Sequence, residues 1–146
     1  MEIAGPAALC TAAKVRRLSR RISRIYDEAL AGHGLTIGQF GLLACLSRRT
    51  GLGIGALAAQ LASDASTVSR LVKPLASDGL VLLRVDPCDK RGRQVWLIDT
   101  GHQRRAAAQA GWLAAQSAMA DRIGDGRLAA LRFLLDEAHA RLECAE

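Results

Sequence analysis

Apolar positions along the chain change period several times, and each change marks an element. From Ala7 to about Gly32, the residues Val15, Leu18, Ile22, Ile25 and Ala29 recur at alternating spacings of three and four, which draws one stripe along a helix. His33-Gly34-Leu35 breaks that helix, and Gly34 suits the left-handed position after its last turn. Thr36 is then expected to cap a second helix, Ile37 to about Arg49, with Phe40, Leu43 and Leu46 inward. The run from Thr50 to Gly55 is too rich in glycine to continue it and predicts a turn or short extended connector.

Ala56 to Leu61 reads as a short third helix, and Ala62-Ser63 as a tight turn. Asp64 reads as the cap of a fourth helix that runs to about Ser77 with Val68, Leu71, Val72 and Leu75 inward. Two helices joined by so short a turn make a helix-turn-helix, whose second helix normally enters the major groove of DNA. Pro74 removes one backbone donor and is expected to disturb the last turn of that helix. Beyond the stop at Gly79, Leu80 to Val85 and Val95 to Ile98 are β-rich runs around the polar loop Asp86 to Gln94, a hairpin with a cationic tip. After Asp99-Thr100-Gly101 the chain is helical to about Arg122, capped by Asp99 or Thr100. Gly124-Asp125-Gly126 precedes a last helix striped by Leu128, Leu131, Leu135, Ala138 and Leu142. The expected fold is mainly α with a two-stranded β wing: a winged helix-turn-helix flanked by amphipathic N- and C-terminal helices that need a partner.

Composition narrows the function. Half of the residues are hydrophobic but only 3% are aromatic, so the core is aliphatic. The net charge of +6 and a pI near 9.8 favour a polyanionic partner. Lys14, Arg16, Arg17, Arg20, Arg21 and Arg24 crowd the first helix, while Arg84, Lys90, Arg91 and Arg93 surround the hairpin turn. No segment approaches the about 18 apolar residues of a membrane span, and the N-terminus lacks the apolar stretch of a signal peptide, so a cytoplasmic protein without membrane contact is expected. Cys10, Cys45, Cys88 and Cys144 are too far apart for a zinc ribbon or a redox pair, and neither a metal nor another cofactor is expected. Nucleophile triads, phosphate loops and zinc-protease strings are missing, which argues against an enzyme. The remaining rival is a helical protein-interaction adaptor that has lost DNA binding.

Several short strings resemble the MarR family of transcriptional regulators. Leu35-Thr36-Ile37-Gly38-Gln39-Phe40 is similar to the start of its second helix, and Ser66-Thr67-Val68-Ser69-Arg70-Leu71-Val72 to its recognition helix. Asp78-Gly79-Leu80-Val81 is similar to its turn into the wing, and Asp86-Pro87-Cys88-Asp89-Lys90-Arg91 to its wing signature. The family usually has arginine where Lys90 stands, threonine where Ile98 stands, and Ser or Thr where Gly55 stands. The resemblance implies a homodimer built on residues 7–34 and 101–144, with a DNA-binding lobe over residues 35–100. It implies regulation of transcription, usually repression, on a pseudo-palindromic operator in double-stranded DNA.

Residue chemistry and the resemblance together mark candidate sites. Ser66, Thr67, Ser69, Arg70 and Lys73 occupy the outer face of the recognition helix, where small hydroxyls allow close approach and arginine can bind guanine through two hydrogen bonds. Arg84, Lys90, Arg91 and Arg93 are expected wing contacts, with Arg91 and Arg93 placed to enter the minor groove and the resemblance singling out Arg91, while Asp86 and Asp89 orient the loop or hold an arginine. The first-helix arginines are expected to be solvated or to pair with Asp27, Glu28, Asp136 and Glu137, with some phosphate contact as an alternative. The resemblance further implies a cleft for a small aromatic ligand that releases the DNA, with Tyr26, His33, Phe40, Leu43 and Trp112 as candidate walls. Peroxide sensing through Cys10 is the alternative signal, although the sensors of this kind place tyrosines beside the cysteine and Tyr26 is the only one here.

Overall fold

The computed structural model describes residues 9–144. The expected start of the first helix at Ala7 lies outside them. Helix α1 spans Thr11–Leu30 and passes into a single 3-10 turn, Ala31–His33. Helices α2 (Ile37–Cys45), α3 (Ile54–Gln60) and α4 (Ala65–Ser77) follow, with a short strand β1 (Leu52–Gly53) between α2 and α3. Strands β2 (Val81–Val85) and β3 (Arg93–Leu97) form the hairpin, and α5 (Asp99–Ile123) and α6 (Asp125–Glu143) complete the chain.

Three helix ends share one device. After the 3-10 turn at the end of α1, Gly34 takes φ +67°, its N–H donating to Ala31 O while Leu35 N–H reaches back to Leu30 O. At the end of α4, Gly79 has the same φ, Gly79 N–H donates to Ala76 O and Leu80 N–H to Leu75 O. In both cases the two leucines joined by the long bond are buried in one cluster, which is the hydrophobic lock of a Schellman ending. The third case, at the end of α3, uses Ala62 at φ +47° instead of glycine.

Three expectations need correction, and the sheet adds a strand to a fourth. Helix α2 stops at Cys45 and not near Arg49, because Leu46 turns extended to bury its side chain and Arg105 of α5 donates to the freed carbonyls of Leu43 (2.8 Å) and Leu46 (3.2 Å). The glycine-rich run takes the extended form of the two expected for it: it contributes β1, which pairs antiparallel with β3, so the two-stranded wing continues at its foot into a three-stranded sheet of order β1-β3-β2. Pro74 does not unravel α4: the helix runs on to Ser77, and the Schellman ending holds its last turn. Neither Asp99 nor Thr100 caps α5. The Asp99 carboxylate pairs with Arg48 at 2.8 Å, and the Thr100 hydroxyl donates to Gly79 O.

Burial divides into two clusters. The larger joins α2, α3, α4 and the sheet through Leu42, Leu43, Leu57, Val68, Leu75 and Val95, with Leu30 and Ala108 entering from α1 and α5. The smaller lies between α1, α5 and α6 and holds Tyr26, Ala115, Met119 and Leu128. Small residues on α5 permit the close packing: a Cβ at Gly111 would stand 2.6 Å from Ala29 O, and one at Gly101 would collide with Leu80 O. Asp27 ties the two parts together from α1, its carboxylate accepting the first N–H of α2, that of Ile37, at 2.7 Å.

Candidate nucleic-acid interface

The recognition helix begins at a small polar network. Thr36 starts α2 with a reciprocal capping box to Gln39, but α4 starts with a carboxylate: Asp64 Oδ1 accepts Thr67 N–H at 2.7 Å and the Ser66 hydroxyl at 2.6 Å. Its other oxygen accepts the Thr67 hydroxyl at 3.0 Å. These bonds to the charged form hold the Asp64 carboxyl at about 2, below its ordinary value of 3.8. Arg70 joins the chain, its Nη2 donating to Thr67 Oγ1 at 3.1 Å. Ser66 and Thr67 therefore spend their hydroxyl protons on the cap. Ser69, Arg70 and Lys73 are exposed, with Val68 and Val72 buried beneath them, so the helix presents a polar face on an aliphatic foot.

The wing is held by its own carboxylates. Asp86 accepts Cys88 N–H at 2.8 Å, Asp89 accepts Arg91 N–H at 2.9 Å, and Gly92 N–H closes on Asp89 O at 2.9 Å. The expected roles of Asp86 and Asp89 in orienting the loop thus act through backbone amides and not through an arginine side chain. Arg93 turns back, Nη1 donating to Gly92 O at 3.1 Å and weakly to Lys90 O. Lys90 and Arg91 stay exposed at the tip, and no ion pair among the described residues takes them.

Trp96 is the residue that sequence reasoning passed over. Val95 and Leu97 face the core, so alternation puts Trp96 on the opposite face of the sheet, across from Leu82 and diagonal to Arg84. The Arg84 guanidinium lies over the indole, 4.9 Å from its centroid, which orders a long cationic side chain at the base of the wing. The indole edge fits against Gly51, where a Cβ would stand 2.5 Å from Trp96 Cε2. The readable signal was a large aromatic at an outward strand position, one diagonal from an arginine.

The candidate ligand walls do not converge on one cavity. Phe40 and Trp112 do meet, stacked with centroids 6.3 Å apart, and with Ala44, Arg105 and Gln109 they line a cavity of about 410 Å³. Leu43 is wholly buried in the larger cluster and Tyr26 in the smaller one, where burial raises its phenol pKa against a lowering by the Arg132 charge. His33 lines a different cavity, of about 690 Å³, with Asp78, Gln103 and Arg104. Cys10 is exposed immediately before α1, whereas burial pushes the Cys45 thiol up. The first-helix arginines do not form the expected pairs among the described residues: Asp27 caps α2, and Glu137 pairs with Arg141 at 3.4 Å.

A helix-turn-helix whose second helix shows a polar face, next to a hairpin with an unpaired cationic tip, defines a winged helix-turn-helix DNA-binding protein. Residues 35–92 match the model of the MarR family, the family that the sequence strings resemble. Among solved structures it is similar to the transcriptional regulator MosR of Mycobacterium tuberculosis, at 27% identity over 93% of this chain and 98% of that one, TM-score 0.77. The same regulator is also solved in complex with DNA, at 27% identity, 92% and 98% coverage and TM-score 0.77. A mutant MarR of Escherichia coli complexed with operator DNA shares the fold at 20% identity, 94% and 99% coverage and TM-score 0.78. No curated protein matches the sequence. No helix among the described residues is long and apolar enough to cross a membrane.

Proposed function

We propose that two copies of this regulator bind a pseudo-palindromic operator in duplex DNA, each placing α4 in a major groove and its hairpin tip over the neighbouring minor groove, and that the usual outcome is repression. The observation that carries this reading is the pairing of an ordered recognition face, Ser69, Arg70 and Lys73 on α4, with the free cations Lys90 and Arg91 on a hairpin braced by Asp86 and Asp89. Ser66 and Thr67 act through the cap, and Thr67 Oγ1 also accepts from Arg70 and so holds the base-reading side chain in place. Arg84, ordered on Trp96, supplies a phosphate contact at the base of the wing, and Arg93 braces the tip.

The two copies join through residues 7–34 and 101–144, and residues 35–100 form the DNA-binding lobe. A protein that works on DNA in this way acts in the cytoplasm, and nothing in the proposed role calls for catalysis. The signal is a small aromatic ligand, for which the cavity between Phe40 and Trp112 offers an aromatic wall and the Arg105 charge. Because that cavity lies between α2 of the DNA-binding lobe and α5, filling it changes the angle between the lobe and the dimer helices, and hence the spacing of the two recognition helices.

Selection from a random duplex pool at about physiological salt, followed by titration on the winning sequence, tests the reading. A two-fold motif with half-sites roughly 10 base pairs apart is expected. Arg91→Ala should weaken binding to every duplex and make the salt dependence shallower, whereas Arg70→Ala should also relax the choice among operator variants, by about 1–3 kcal/mol of discrimination. Equal losses on every sequence for both variants would refute this division of labour, and absence of any enriched motif would refute operator binding.

A further inference from the structure

DNA contact accounts for the cations of α4 and the wing but leaves those of α1 without a partner. Arg17, Arg20, Arg21 and Arg24 of α1, with Arg122 near the end of α5, line one groove of about 500 Å³. Ile25 adds an apolar wall and Glu28 is the single acid of the lining. A second groove of about 620 Å³ continues along α1 past Lys14, Arg17, Leu18 and Arg21. None of the ion pairs among the described residues uses any of these cations.

The place of the groove separates it from the DNA face. Helices α1 and α5 pack antiparallel, Gly111 against Ala29 and then Ala115 and Met119 against Tyr26. Arg122 lies eleven residues beyond Gly111, roughly 16 Å further along the helix, and roughly 35 Å from the start of α5 at Asp99, where the winged lobe attaches. An operator held by α4 and the wing does not extend to it. Arg17, Arg21 and Arg24, like Arg20 and Arg24, follow one another at spacings of three or four, so like charges sit on neighbouring turns of one face and repel. A multivalent anion laid between them turns that repulsion into attraction. Planar guanidinium groups suit phosphate oxygens, which they grip through paired N–H donors.

We infer that this groove is a binding site for a small polyphosphate, several phosphates linked in a row, whether inorganic or the tail of a nucleotide. Five guanidinium groups drawn from two helices offer more paired donors than one phosphate has oxygens to use. Arg17 to Arg24 spans roughly 10 Å of helix, which suits a short linked chain that meets cations from both helices at once. The inference does not depend on which operator or aromatic ligand the protein takes, but it rests on the proposed dimer leaving this groove open, since α1 and α5 both belong to the helices that join the two copies.

Isothermal titration of the full-length dimer with sodium tripolyphosphate, at constant ionic strength and with inorganic phosphate and sulfate as comparators, tests it. The expected result is saturable binding of one tripolyphosphate per chain, about tenfold or more tighter than either comparator. Arg21→Gln combined with Arg122→Gln should weaken it by about tenfold, and Arg20→Gln alone by less. Circular dichroism and sedimentation confirm that the variants remain folded dimers, and Arg91→Ala at the wing tip should leave tripolyphosphate binding unchanged. A nucleoside triphosphate and tripolyphosphate that compete for the groove place both sources of the phosphate chain in one site. Lack of saturation, or equal weakening by Arg91→Ala, overturns the inference. So does binding that emerges only in an Asp136→Asn, Glu137→Gln variant, since the groove would then be filled by carboxylates of the second copy.

Discussion

Ala62 shows what a single residue contributes to the DNA-reading unit. It occupies the left-handed position of the turn between α3 and α4, with the same pair of backward bonds that Gly34 and Gly79 make elsewhere: Ala62 N–H to Ala59 O and Ser63 N–H to Ala58 O. A Cβ in that conformation costs roughly 1 kcal/mol or more, which glycine avoids. Ala62→Gly should therefore raise the unfolding free energy in urea by about 0.5–1 kcal/mol, the gain reduced by the extra freedom of glycine in the unfolded chain. A lower stability would mean that the turn is not strained at Ala62. Gly34 and Gly79 were legible as helix stops because glycine announces positive φ. Alanine carries no such signal, and this turn could be located but its strain could not be read.

The start of α4 works as a unit in which one carboxylate orders three neighbours. Asp64 holds Ser66 and Thr67, and Thr67 in turn accepts from Arg70, so the side chain proposed to read bases is tethered to the cap. Because the folded state depresses the Asp64 pKa, its contribution to stability is fully present above the ordinary value of 3.8 and is lost as pH falls through about 2. Thermal unfolding should accordingly show wild type more stable than Asp64→Asn at pH 5, with the gap closing toward pH 2. A gap that persists unchanged at pH 2 would assign the effect to something other than this charge. The sequence predicted Asp64 as a cap from residue type and position alone. The limits of α2 were less legible: nothing near Cys45 signals a stop, and the groups that end the helix come from Arg105, about sixty residues away.

At the scale of the molecule, the apolar stripes on the terminal helices remain partly uncovered. On α6, Phe133, Leu134 and Leu142 are 64%, 63% and 73% exposed, and Leu135 is 46% exposed, although Leu128 of the same helix is buried. Val15, Leu18 and Leu113 add exposed apolar surface on α1 and α5. A surface of this kind calls for a second copy, and placing a charge in it should separate the two. Leu135→Glu should sediment as a monomer and lose operator binding, since one half-site contact supplies only part of the phosphate and base contacts. A dimer of unchanged mass would put the interface elsewhere.

What the sequence by itself determined was order and kind: the helices, the turn and the hairpin follow from local periods, caps and glycines, and the residues proposed for the DNA face follow from their positions on those elements. Tertiary structure decided whatever depends on groups distant along the chain. It brought Leu52 and Gly53 beside Val95 and Gln94 to make the third strand, and set Arg84 on Trp96. It also split the supposed ligand walls, leaving Phe40 with Trp112 while Tyr26 and Leu43 went to separate cores and His33 to another cavity. Periodicity reports which face of an element is apolar. Which partner that face meets depends on how the elements pack, and only the folded chain resolves it.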